Sequence, residues 1–294
     1  MELTLNIAIG AVAIGSIAGM LTGMFGVGGG FLMTPALMII LNIPGATAVG
    51  TDLAIILVTS SFGMLRRRGS GTIDVKLALT IATGSILGVL TGSHILESLK
   101  DAPKLMIFGE EQDTVHYCLL WLFMVLLAWI AGYMIFDYRH NHGKTRDKLV
   151  GFFAKFKIPP YLHFSSLEQP RLSVVTLLIL GFFVGVLTGF MGIGGGVLLL
   201  PALIYFVGQR ASKAVGTSLL VVWVSSLVAV IRKSGAGDVS LLLFVFLLSG
   251  GLTGTFFGTK IGLKLAGPKI RLYFICVVII GILMVGYKLY VITY

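Results

Sequence analysis

The sequence has little charge. Only 12% of its 294 residues are Asp, Glu, Lys or Arg, while 56% are hydrophobic and the mean hydropathy is +1.00. A water-soluble domain of this length has nowhere to hide so much apolar surface, so that class is excluded. Positive charge is absent from the whole opening stretch, the first Lys or Arg being Arg66. A secretory leader needs a cationic start, so no cleaved leader is expected and the first apolar run is expected to stay in the bilayer. Cysteine is also scarce: Cys118 and Cys276 stand alone in apolar runs without CxxC spacing and read as small buried hydrophobes. No GxxxxGK[ST] loop is present, which argues against nucleotide-driven transport. The apolar runs also lack clustered His, Cys or paired carboxylates, which leaves a membrane enzyme or redox assembly factor without chemical groups. His94 has no second ligand at metal spacing, and nothing points to a cofactor.

What the chain does have is apolar length. Uncharged runs begin at Leu3, Leu77, His116, Leu172, Ala214, Val239 and Leu272, and only Asp52 interrupts the first. A span needs roughly 20 apolar residues, so these runs hold about ten helical segments of an all-α membrane protein. The net charge of +10 sits in short loops beside the spans, which is a topology signal and not a nucleic-acid footprint.

The chain also repeats itself. At an offset of 166 residues, Gly19 to Ile95 aligns with Gly185 to Ile261 without a gap. "TGMFGVGGGFLMTPAL" from Thr22 returns as "TGFMGIGGGVLLLPAL" from Thr188, and each is followed by "AVGT", ending at Thr51 and Thr217. The expected organisation is an N-terminal repeat over 1–137, a basic cytoplasmic linker over 138–170 and a C-terminal repeat over 171–294. About five segments per half is an odd number, which makes the repeats inverted in topology. Loop charge agrees: with the linker inside, four inner loops hold 17 of the 22 Lys and Arg residues, and both termini fall in the periplasm. Arg232 and Lys233 are the discord, because they repeat Arg66 and Arg67 on the outer side. Within the linker, Leu149, Phe152, Phe153 and Phe156 follow helical spacing, read either as a helix on the inner leaflet or as a solvated connection.

Each glycine triplet is followed by an apolar stretch of about 11 residues, roughly 16 Å as helix against a ~30 Å hydrocarbon core. Such a segment cannot cross alone, so a broken or re-entrant helix is expected at each triplet, near the midplane. Gly28, Gly29 and Gly30, with Gly194, Gly195 and Gly196, then offer bare amides at half-helix N-termini, an arrangement suited to an anion. Glycines at four-residue spacing (Gly15, Gly19 and Gly23; Gly84, Gly88 and Gly92; Gly250, Gly254 and Gly258) read instead as close helix packing.

Hydroxyls recur at matching places: Thr22 and Thr188, Thr51 and Thr217, Ser60 and Ser226, and Ser218 opposite Asp52. Each either bonds locally within the helices or donates to an anionic oxygen; Thr51, Thr217 and Ser218 stand out. Asp52 is the one acid well inside a run. It reads either as a proton carrier, and so a coupling candidate, or as a cap on a helix starting near Ala48. Arg66, Arg67, Arg68 and Lys76, like Gln209, Arg210 and Lys213, read as inner topology-setting groups more than as anion collectors. Trp121, Trp129 and Trp223 read as lipid or packing residues.

The paired glycine motifs followed by AVGT resemble the sulfite exporter TauE/SafE family of membrane transporters, across nearly the whole chain. The resemblance implies secondary transport of a small sulfur-containing anion, of the sulfite, sulfonate or sulfoacetate class, across the bacterial inner membrane. It places the glycine motifs on Gly26 and Gly28 to Gly30 and on Gly192 and Gly194 to Gly196. Asp52 departs from it, standing where the second half keeps Ser218. Alternating access by rocking of the halves is the expected mechanism, with proton or sodium coupling; a passive anion channel is the alternative. The substrate's identity, the direction of transport and the oligomeric state are left open.

Overall fold

The computed structural model describes residues 5–100, 103, 105–107, 110–140, 151–155, 158–164, 167, 171–265 and 267–293. Ten α-helices lie among them: α1 (Leu5–Phe25), α2 (Gly30–Ile40), α3 (Gly45–Arg67), α4 (Val75–Lys100), α5 (Thr114–His140), α6 (Val174–Met191), α7 (Gly196–Pro201), α8 (Ala211–Gly235), α9 (Leu241–Lys264) and α10 (Gly267–Thr293). Eight are long and apolar enough to cross a bilayer; α2 and α7 are not. A π-helical segment, Ala202–Val207, extends α7.

Local chemistry sets several boundaries. Arg66 and Arg67 occupy the last turn of α3, where cations oppose the negative end of the helix dipole. Asp74 accepts the Leu77 amide at the start of α4, and Ser173 accepts the Thr176 amide at the start of α6. Gly192, at φ 75°, closes α6 with its amide on the Thr188 carbonyl. Pro35 and Pro201 sit inside α2 and at the end of α7. After Pro201 the regular α-turn gives way to the wider π form, a switch that apolar periodicity cannot register.

Helices related by the 166-residue offset exchange partners: α1 packs on α9, and α4 on α6. Glycine makes both contacts possible. A Cβ added at Gly15 or Gly19 would collide with the carbonyls of Leu247 or Gly251, and one at Gly250, Gly254 or Gly258 with those of Val12, Ser16 or Met20. On the other side, Gly84, Gly88 and Gly92 meet the carbonyls of Leu178, Phe182 and Val186, while Gly181, Gly185 and Gly189 meet those of Ile81, Ser85 and Val89. Both pairs run parallel, backbone on backbone, as four-residue glycine spacing allows.

α3 and α8 fill the centre and run in opposite directions, Gly50 resting on Asp238 and Gly216 on Thr72. α5 and α10 pack together at the periphery, leaving Trp121, Trp129, Ile280 and Leu283 exposed. Cys276 is exposed on α10 and Cys118 is half-buried, so neither is the fully buried hydrophobe expected. Trp223 donates its Nε1–H to Ser61 Oγ at 2.7 Å.

The connections hold features that periodicity does not foretell: two antiparallel pairs, β1 (Leu105–Ile107) with β2 (Glu110–Gln112) and β3 (Tyr161–His163) with β4 (Arg171–Ser173). Of the two readings of the linker, inner-leaflet helix or solvated connection, its described part at 151–155 holds one 3-10 turn, Phe152–Lys155, whose Phe152 and Phe153 rings meet Phe206. Leu149 and Phe156 lie outside the described residues.

Candidate functional site

The two glycine breaks fold alike. Gly26, Gly28 and Gly29 take φ of 69°, 82° and 71°; Gly192, Gly194 and Gly195, their counterparts, take 75°, 63° and 72°. Side chains avoid this left-handed region, so glycine is required at these positions for the turn itself. After each turn a short helix doubles back. Gly29 lies against Ala18 and Leu41 against Gly10, so α2 returns along α1. The first amides of the returning helices to be satisfied are Leu32 and Met33 on the Gly29 carbonyl, and Leu199 on that of Gly195. Among the described residues, the amides of Gly28, Gly29 and Gly30 and of Gly194, Gly195 and Gly196 have no acceptor. That is expected of the first turn of a helix without a side-chain cap.

The breaks also meet. A Cβ on Gly30 would lie 2.9 Å from the Gly192 carbonyl oxygen, and one on Gly196 would strike the backbone of Val27. Over this junction stand one side chain from α3 and one from α8. Ile56 and Val222 both come within 3.3 Å of the Cβ positions of Gly28 and Gly194. These two residues are themselves separated by 166 positions, so their pairing was readable by repeat arithmetic, but an apolar residue carries no signal of a site until its neighbours are known.

The hydroxyls fall into three groups. Thr22 and Thr188 touch the Cβ positions of Gly29 and Gly195 but bond back to the carbonyls of Ala18 and Val184, at 2.9 Å each. Ser218 Oγ donates to the Gly26 carbonyl at 2.9 Å and so holds the first break from the opposite half. Thr51 and Thr217 bind elsewhere: Thr51 Oγ1 accepts the Ser240 amide at 3.0 Å, and Thr217 Oγ1 accepts the Asp74 amide at 3.1 Å. Each thus ties α3 or α8 to the start of α9 or α4. Both lie five residues from Ile56 or Val222, about 7.5 Å along the axis, in opposite directions from the junction because α3 and α8 are antiparallel. The structure therefore brings together the triplets, Thr22, Thr188 and Ser218, and sets Thr51 and Thr217 apart. Gln209 stands in the short connection before α8, but it is not a solvent-facing topology group: it is fully buried and donates to Thr217 at 3.0 Å.

Asp52 is not a helix cap. α3 begins at Gly45, and Asp52 is fully buried, with Oδ2 accepting the hydroxyl of Thr34 on α2 and Oδ1 without a partner among the described residues. It stands one turn before Ile56, on the same face of α3. Thr34 was missed in the sequence because its counterpart is Leu200 and the repeat gives no hint of it.

Geometry and sequence converge here with comparison to known proteins. The model of the family described as sulfite exporter TauE/SafE matches residues 11–285. The chain belongs to this family. Relatives in it include "Probable membrane transporter protein YjnA" of Bacillus subtilis, 27% identical over 93% of this chain and 98% of that one. Another, "Probable membrane transporter protein" of Xylella fastidiosa, is 25% identical over 99% of this chain and 97% of its own length. No solved structure matches. The TauE/SafE assignment makes the chain a multi-pass membrane protein of a transporter family.

Proposed function

We propose that this protein is a secondary active transporter of a small sulfur-containing anion of the sulfite, sulfonate or sulfoacetate class, held between the two glycine breaks. The observation that carries the reading is the junction itself: two half-helices begin side by side, each with unpartnered amides and the positive end of its dipole at the meeting point. An oxyanion satisfies several such amides at once, without a charged side chain in the hydrocarbon.

The antiparallel course of α3 and α8, and the exchange of partners between α1·α9 and α4·α6, support two inverted-topology repeats, and the loop charges favour both termini in the periplasm of a bacterial inner membrane. Alternating access follows by rocking of these units, with Ile56 and Val222 closing over the glycines in the conformation described. Asp52, one turn away, is the coupling candidate.

Purified protein titrated with sulfite, sulfate, thiosulfate, taurine, sulfoacetate and simple carboxylates tests the ligand class. One or more sulfur oxyanions raise the melting temperature, and Gly28→Ala and Gly194→Ala abolish that rise. Wild-type response in both variants removes the triplets from the site. Uptake into proteoliposomes that follows an imposed proton or sodium gradient separates a coupled carrier from a passive channel.

A further inference from the structure

Three Lys or Arg residues are buried among the described residues: Arg67, Lys233 and Arg271. Arg271 lies 3.8 Å from Asp137, and Lys233 lies 3.7 Å from Asp238, which is also bonded to Lys100. Arg67 has no carboxylate partner among the described residues. Its Nη2 donates to the Gly23 carbonyl at 2.8 Å, and its Nε has no acceptor.

Arg67 and Lys233 are repeat counterparts, and so are Thr72 and Asp238. The structure keeps that register, since Gly50 rests on Asp238 as Gly216 rests on Thr72. One half therefore supplies its buried cation with a protein carboxylate, and the other puts a threonine in the same place. A buried cation without a countercharge is costly and invites an anion from outside. Arg67 also grips the last turn of α1, three residues before the first left-handed glycine, so an anion on it sits next to the break.

Resting on the transport reading above, we propose that Arg67 is an anion-binding residue of the pathway, holding the oxyanion on the side of the junction where α1, α3 and α9 end. The place taken by Asp238 in the other half is here taken by the transported solute. The guanidinium fork suits tetrahedral and pyramidal oxyanions.

The test uses the full chain in phosphatidylcholine nanodiscs, titrated with sulfite, sulfate, thiosulfate and sulfoacetate. Arg67→Gln weakens binding of the best wild-type ligand roughly tenfold or more, as expected for a lost charge-assisted pair, and Arg67→Lys by less. Thr72→Asp, which installs the missing carboxylate, weakens binding to a similar degree with Arg67 intact, and it serves as the test should Arg67→Gln fail to fold. Lys233→Gln leaves the affinity near wild type. Unchanged affinity in Arg67→Gln, or in Thr72→Asp where Arg67→Gln does not fold, overturns the proposal and leaves the transport reading standing. If wild type binds none of the four anions, both fall. An Arg67-dependent stabilisation that appears only when phosphatidylglycerol is added assigns the residue to a lipid phosphate and also overturns the proposal.

Discussion

At the scale of single residues, glycine at the junction serves two separable ends. Gly29 sits at φ 71° against the Ala18 backbone, so Gly29→Val strains the turn and collides with α1; it damages the fold and cannot report on binding alone. Gly28 is the sharper probe, because the nearest neighbours of a methyl group there are the side chains of Ile56 and Val222, at 3.0 and 3.2 Å, and not a backbone carbonyl. Gly28→Ala should cost about 1–2 kcal/mol from the left-handed backbone and remove anion binding, read by thermal denaturation with and without ligand. Asp52→Asn keeps an acceptor for Thr34 but has no proton to release. The pH dependence of proteoliposome uptake should flatten in this variant, and an unchanged profile would leave Asp52 a purely structural partner of Thr34. The triplets, Asp52 and the duplicated hydroxyls were legible in the sequence because polar or flexible residues stand out in oily runs. Arg67 was not, since it lies in a basic cluster whose neighbours are exposed and only burial separates it from them.

At the scale of elements, the helix pairs α1·α9 and α4·α6 depend on glycine for backbone contact. Gly88→Ala pushes a methyl group into the Phe182 carbonyl and should destabilise the protein by about 1–3 kcal/mol, as overpacking does. Gly132→Ala on α5 meets nothing within 4 Å and is the matched control, expected to be neutral or slightly stabilising in the same melt. The four-residue spacing announced this packing but not its partners: the sequence places α1 next to α2, whereas its long contact is with α9 in the other half. Thr51 and Thr217 show the same limit. Their duplication marked them as special, but what they hold is the chain entering α9 and α4, a role fixed by which helices are neighbours.

For the whole molecule, topology is the property to measure. In a background lacking Cys118 and Cys276, cysteines at Asn6 and at Ile158, both exposed, should react with a membrane-impermeant reagent from opposite sides, Asn6 from the periplasm. Labelling of both from one side would break the inverted arrangement. Lys233, which counts against the expected topology by loop charge alone, is buried: a cation paired with Asp238 inside the protein does not belong in a count of solvent-facing charge. By itself the sequence determined the all-helical membrane class, the 166-residue internal repeat and the place of each break, because hydropathy, repeat spacing and glycine act through the local chain. Only the tertiary structure decided that the breaks touch, that Ile56 and Val222 cover them, and that Arg67 lacks the carboxylate its counterpart has. Those are relations between segments far apart in the chain, set by how helices pack and not by any one segment's own preference.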